Sequence, residues 1–276
     1  MKGKGRLGRI VAGLILAGSA RGQTPVPELW FPVGEQLTYQ IRWGMIPVGR
    51  TTASTFWREE GGRTRLVVQF RTRTNRFLEK IYPVDDFLES VIDPVSFLPV
   101  RFTKRLSEGH YRADETTEFD HRHRRARWQS NRSGRTTNLD IEADTRDLIS
   151  FMYFMRSSRF KVGEVQSHRV MADEKVYDLY VKAVKSEVLN LPGLGPRRSI
   201  KVEPEAAFNG LFVRKGKVWM WVSDDDERLC TRLVARVPVA SVSLLLVKIG
   251  RVEDTDSTDD AESWEDTAES EMADEP

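Results

Sequence analysis

Leu37-Thr38-Tyr39-Gln40-Ile41-Arg42-Trp43 alternates without a break, apolar at every odd position and polar at every even one. Successive side chains of a strand point to opposite faces, so this stretch predicts a strand with one buried and one wetted face. Gly44 and Pro47-Val48-Gly49 punctuate it, and a second strand is predicted over 52–57. After the Glu60-Gly61-Gly62 turn, Leu66, Val68 and Phe70 resume the alternation against Arg65, Gln69, Arg71 and Arg73. The same reading predicts strands over 80–92, 98–107, 110–120, 124–130, 165–173, 176–189, 198–204, 211–214, 217–223, 229–237 and 241–249. Turn signals separate them, among them Asp93-Pro94, Glu108-Gly109, Ser133-Gly134, Pro192-Gly193 and Lys215-Gly216.

One segment breaks the period. Leu148, Phe151, Met152 and Met155 recur at helical spacing, which predicts a helix over 145–157 capped by Asp144 or Thr145. About a dozen strands and one covering helix predict an all-β, mainly antiparallel architecture, either a closed barrel or a curved half-barrel sheet. The chain has 276 residues, enough to bury a sizeable core. Its 43 basic and 41 acidic residues nearly cancel, but 12 of the acids lie in residues 253–276, which hold no Lys or Arg. Residues 1–252 therefore carry 43 − 29 = +14. The acidic segment has too little apolar surface to offset ordering entropy and is predicted to be a disordered tail. It serves either solubility or the basic face of this same chain. A body with 39% hydrophobic and 30% charged residues is neither membrane-embedded nor wholly disordered.

Lys2, Lys4, Arg6 and Arg9 precede an apolar run from Ile10 to Gly18, and Ser19 and Ala20 follow. This is the pattern of a secretory signal peptide over 1–22, leading to the periplasm or beyond. The run is too short to span a bilayer, and no cysteine follows it, so a lipid-anchored N-terminus is not expected. Residues 23–252 then form a single β-rich domain after a short leader over 23–30. The lone cysteine, Cys230, excludes an intrachain disulfide framework and a multi-cysteine metal cluster.

Four stretches together resemble an exported bacterial family, domain of unknown function 3108, over roughly residues 33–250. They are Gly34-Glu35 with Leu37, Tyr39 and Trp43 to Gly49; Asp86 to Asp93 with Leu98-Pro99; Asp147, Ser150, Tyr153 and Arg156; and Gly210 to Gly216 with Trp219, Trp221 and Ser223 to Asp225. The chain departs from that pattern at Cys230 and Ala240. The resemblance implies an exported β-rich protein and assigns no catalytic residue. By looser analogy its architecture is similar to half-barrel carriers that shuttle lipoproteins, where a sheet and a helical lid enclose an apolar cavity.

Residue chemistry excludes more than it assigns. There is no Gly-x-Ser-x-Gly elbow, and Cys230 has no histidine near it in sequence to activate it. His121 and His123 would share a strand face but lack further metal ligands. Asp224-Asp225-Asp226-Glu227 reads as a turn. Asp86 and Glu89 point to opposite faces of a strand, which argues against an acid/base pair for glycan hydrolysis. No catalytic residue, metal site or cofactor is expected. Trp43, Phe151, Tyr153, Phe154, Trp219 and Trp221 are candidates to line an apolar pocket, or plain core. Trp219 and Trp221 share one strand face, and Val218, Met220 and Val222 share the other, so that strand is apolar on both sides. Arg122, Arg124, Arg125 and Arg127 form a candidate patch for an envelope polyanion or partner; export argues against nucleic acid.

The favoured expectation is a non-enzymatic periplasmic carrier of an apolar or amphipathic ligand, such as a lipid or lipoprotein, peripheral to the membrane at most. The alternative is a cell-envelope interaction module using the arginine-rich hairpin. A glycan hydrolase is the third.

Overall fold

The computed structural model describes residues 26–206, 217–237 and 240–252. The predicted signal peptide, the predicted strand over 211–214 and the acidic segment 253–276 lie outside the described residues. The protein is nearly all β. Eight strands run from β1 to β8: Glu35–Trp43, Ile46–Glu60, Arg63–Thr74, Asp85–Asp93, Leu98–Glu108, Tyr111–Asp120, Arg125–Ser130 and Thr136–Asp140. Seven more run from β9 to β15: Arg146–Asp147, Val165–Ala172, Lys175–Leu191, Gly195–Ala206, Lys217–Ser223, Cys230–Val237 and Ala240–Arg251. Helix α1 (Arg76–Glu79) follows β3, and α2 (Leu148–Phe154) follows β9 and ends in a 3-10 turn, Met155–Ser157.

All fifteen strands form one sheet in the order 8-7-6-5-4-3-2-1-15-14-13-12-11-10-9. Each half of the chain is an antiparallel meander, and the two meet where β1 pairs with β15. Among the described residues the sole parallel pairing is β9 with β10. The ladder ends at β8 on one side and β9 on the other, so the sheet is not closed. Strand twist accumulates across so many strands, and bulges at Thr38/Tyr39, Ile41/Arg42 and Val91/Ile92 bend it further. The curl brings the two edges together through side chains. Lys104 reaches Asp173 at 2.5 Å, Thr137 donates to Glu174 at 3.0 Å, and Trp128 and Ile141 share an apolar cluster with Met171. Gly49 permits a close approach at the start of β2, where a Cβ would lie 2.3 Å from the Arg73 carbonyl oxygen.

Helix α2 lies inside the curl, on the connection from one edge to the other. Ile149 and Tyr153, one turn apart, pack on Leu66, Val68 and Ile92. Phe151 and Met155, on the opposite face, pack on Leu179, Val181, Val202 and Met220. A helix apolar all round is a buried helix. Its cap is Asp147, not Asp144 or Thr145: Asp147 accepts from the Ile149 and Ser150 N–H groups at 2.8 and 2.9 Å and from Ser90 Oγ at 2.6 Å. Burial pushes the Asp147 carboxyl up, against the pull of those donors. At the far end Arg156 forms an ion pair with Glu35 of β1, both side chains 6% exposed. Trp30 adds a hydrogen bond from Nε1 to the Tyr153 carbonyl at 2.9 Å.

Three expectations need correction. The predicted strand over 80–92 starts at Asp85, and α1 precedes it, capped by Asn75. The polar edge strand β8 and the two-residue β9 lie where no strand was expected. The helix starts later than residue 145, because Arg146 and Asp147 pair with β10 first.

Replacing Glu35 with Ala strands a buried guanidinium, and the expected loss is about 3–5 kcal/mol, or about 10 °C in Tm. Thermal unfolding of Glu35→Ala tests this, and an unchanged Tm contradicts it.

Candidate functional site

The six aromatic candidates do not converge on one pocket. Trp43 stands at the end of β1, past the core, 53% exposed. Phe151 and Tyr153 are buried on opposite faces of α2. Phe154 packs against Trp30 and Phe97, and the Arg146 guanidinium lies 3.6 Å from its ring centroid. Trp219 and Trp221 occupy the outer face of β13, while Met220 and Val222 face α2. Their outward position is covered by charged side chains from neighbouring strands. Lys201 sits 4.8 and 5.3 Å from the two rings, Arg236 lies over Trp219 and Arg232 over Trp221. Trp221 Nε1 donates to Glu187 at 2.6 Å, and Trp219 Nε1 donates to Glu203. Long basic side chains lay their stems on apolar surface and keep the charge wet. The strand is apolar on both faces because both are covered.

The interior cavity beside α2, lined by Tyr39, Phe70, Met152 and Cys230 among others, is about 20 Å³. That is room for one water molecule, whereas ligand pockets run to about 300–1,000 Å³.

The arginine-rich hairpin leads elsewhere. Arg122, Arg125 and Arg127 from β6–β7 meet Arg63 and Arg65 of β3 and Arg101 of β5 around an open groove of about 780 Å³. Three hairpin tips build it, β2–β3, β4–β5 and β6–β7, which the meander places at one end of the sheet. Asp93, Glu118 and Asp120 are its carboxylates, so six arginines face three acids. Arg65 bonds Asp93 at 2.6 Å and Arg101 bonds Glu60 at 2.5 Å. Arg63, Arg122, Arg125 and Arg127 form no ion pair among the described residues. Arg124, at φ 53°, is exposed in the turn and does not line the groove. The chain leaves β15 at this same end, where Val252 N–H bonds the Gly34 carbonyl, and the acidic segment follows.

The histidine pair lies in that turn and not on a strand face, a correction to the expected geometry. His121 Nε2 contacts the Pro99 carbonyl oxygen at 2.9 Å, and His123 Nδ1 contacts Asp120 at 2.6 Å. The carboxylates considered for hydrolysis have other partners. Asp86 accepts from the Ser107 N–H at 2.8 Å, and Glu89 holds Arg58 through two bonds of 2.9 and 2.7 Å. Asp225 caps its own turn, accepting from Ser223 Oγ and from the Glu227 and Arg228 N–H groups. Burial pushes the Cys230 thiol up to about 12, with Arg156 pulling against it.

The family described as Protein of unknown function (DUF3108) matches residues 38–247. The chain belongs to this family. Among solved structures it resembles a beta-barrel-like protein of the DUF1849 domain family from Brucella abortus, with a TM-score of 0.51 at 10% identity. The alignment covers 80% of this chain and 98% of that one, and at this identity it speaks to fold alone. No curated protein matches the chain. No helix among the described residues is long and apolar enough to cross a membrane.

Sequence reasoning missed Arg63, Arg65 and Arg101 as partners of the hairpin arginines, since strand register brings them together. It also missed the Glu35–Arg156 pair, although both residues stand in the stretches that carry the DUF3108 resemblance.

Two outcomes follow from this chemistry. A thiol with so high a pKa is expected to resist iodoacetamide at pH 8 in the native protein and to react once denatured; rapid native alkylation contradicts it. Burial works to raise Glu89 and Asp93, but their arginine and backbone donors outweigh it and hold both below the usual carboxylate range, as Arg101 does for Glu60. A carboxylate with a lowered folded pKa adds stability above its unfolded pKa and loses it as pH falls through the folded one. Tm is therefore expected to drop below about pH 4, and Glu89→Gln to flatten that drop.

Proposed function

We propose that this DUF3108 protein is an exported, non-enzymatic protein of the cell envelope, periplasmic or extracellular, that binds a phosphate-bearing polyanion in the arginine groove. The observation that carries the reading is the groove itself, an open concavity ringed by six arginines, four of them without an ion pair among the described residues. Guanidinium is planar, permanently charged and matched to phosphate by paired donors. The N-terminal export pattern supports the compartment, and there the available polyanions are envelope phosphates. A carrier of apolar cargo has less support, because α2 fills the space such a cargo would need.

The test is calorimetric titration of the full chain with inorganic polyphosphate. Each exposed arginine near an anionic surface contributes about 1 kcal/mol, so Arg122→Ser, Arg125→Ser and Arg127→Ser together are expected to weaken binding about 100-fold. Salt is expected to weaken the wild type more steeply than the triple variant. No binding, or equal binding by both proteins, overturns the reading.

A further inference from the structure

The end of the sheet opposite the groove exposes apolar side chains. The β1–β2 hairpin presents Trp43, Met45 and Ile46 at 53%, 82% and 67% exposure. The segment between β3 and β4 presents Phe77, Ile81 and Tyr82 at 74%, 69% and 49%. These two pieces form one rim. Thr74 lies opposite Gly49, the Asn75 N–H donates to the Val48 carbonyl at 3.0 Å, and Asn75 Nδ2 donates to the Pro47 carbonyl at 2.9 Å. The display is also held in place. Asn75 Oδ1 caps α1 by accepting from the Leu78 N–H at 2.9 Å, and the Tyr82 ring packs so close over Gly109 that a Cβ there would come within 2.8 Å of it. Contiguous exposed apolar surface on a soluble protein marks an interaction site.

Shape and charge select the partner. The rim is a hairpin tip beside a one-turn helix, so it protrudes. At this end Arg42, Arg50, Arg73, Arg76 and Lys80 stand with the acids Glu79, Asp85 and Glu108, so basic side chains outnumber acidic ones. Trp and Tyr beside Met, Ile and Phe, flanked by cations, suit a bilayer interface. There, aromatic rings sit at headgroup level, apolar tips enter the acyl boundary and cations meet lipid phosphates. A second copy of this chain fits less well. The concavities of about 780 and about 540 Å³ have charged side chains at half or more of their lining positions, a poor match for an apolar tip.

We propose that this rim docks the protein peripherally on an anionic lipid bilayer, with Met45, Ile46 and Phe77 entering the acyl boundary. The inference goes beyond the groove reading and stands without it, since the two surfaces lie at opposite ends of the sheet.

The test is co-sedimentation of the full chain with vesicles of phosphatidylglycerol and phosphatidylcholine in equal parts, and with phosphatidylcholine alone. The wild type is expected to partition onto the anionic vesicles, and brominated lipid is expected to quench fluorescence that Trp43→Phe removes. Met45→Ser with Phe77→Ser is expected to keep the wild-type Tm and to weaken partition about 100-fold, tenfold per side chain. The triple arginine variant of the groove is expected to partition as the wild type does, which separates failure here from failure of the groove reading. No partition onto either vesicle, or partition unchanged by the rim variant, overturns the proposal. So does lipid-free dimerisation of the wild type that the rim variant abolishes, because the rim would then belong to a second copy.

Discussion

The ion pair between Arg156 and Glu35 closes the interior of this protein, and the rest of the architecture depends on what it fastens there. Among the described residues a single sheet of fifteen strands has one inner face and no second sheet to cover it. The chain solves this with its own crossover, sending α2 through the curl on the way from one edge to the other. Asp147 ties the start of the helix to Ser90 on β4, and Arg156 ties its end to Glu35 on β1. Between those two polar anchors the helix is apolar apart from Ser150 and the Tyr153 hydroxyl, and none of its residues is exposed. A pair so deeply desolvated contributes little net stability compared with an apolar substitute, yet losing one partner is costly. Its contribution is therefore to placement: the helix has one seat and one direction.

With the interior filled, both surfaces proposed for binding lie on the outside of the sheet. The meander sets the β2–β3, β4–β5 and β6–β7 turns at one end of the sheet and the β1–β2 and β3–β4 connections at the other, and the two ends differ in chemistry. One end gathers arginines from three hairpins around a groove. The other holds tryptophan, methionine, isoleucine and phenylalanine in the open. Neither surface needs the interior to open, so a rigid sheet can serve both.

Much of the strand pattern was legible in the sequence because burial of one face imposes period two. The stretch over 37–43 shows where that reading stops: its inward residues Leu37 and Tyr39 are buried, but bulges shift the register and Trp43 ends beyond the core. Strand β8 was missed because Thr136–Asp140 holds one apolar residue, as an edge strand with little to bury can. The helix was legible from spacing, but its cap was not, since pairing of Arg146 and Asp147 with β10 delays the start. The site was the least legible part. Trp219 and Trp221 share a face as alternation requires, but the Lys201, Arg232 and Arg236 stems that cover them come from other strands. Six groove arginines spread from Arg63 to Arg127 meet only through register. Arg156 and Glu35 lie 121 positions apart in sequence.

Hydrogen exchange of the α2 amides, measured on the full chain, tests the filled interior most directly. If the helix is a fixed part of the core, the Phe151 to Met155 amides exchange through global unfolding and are as slow as those in the middle of β2 and β3. If they exchange orders of magnitude faster than those strands, the helix lifts away under native conditions. The interior then opens, and α2 is not the fixed filling of the curled sheet.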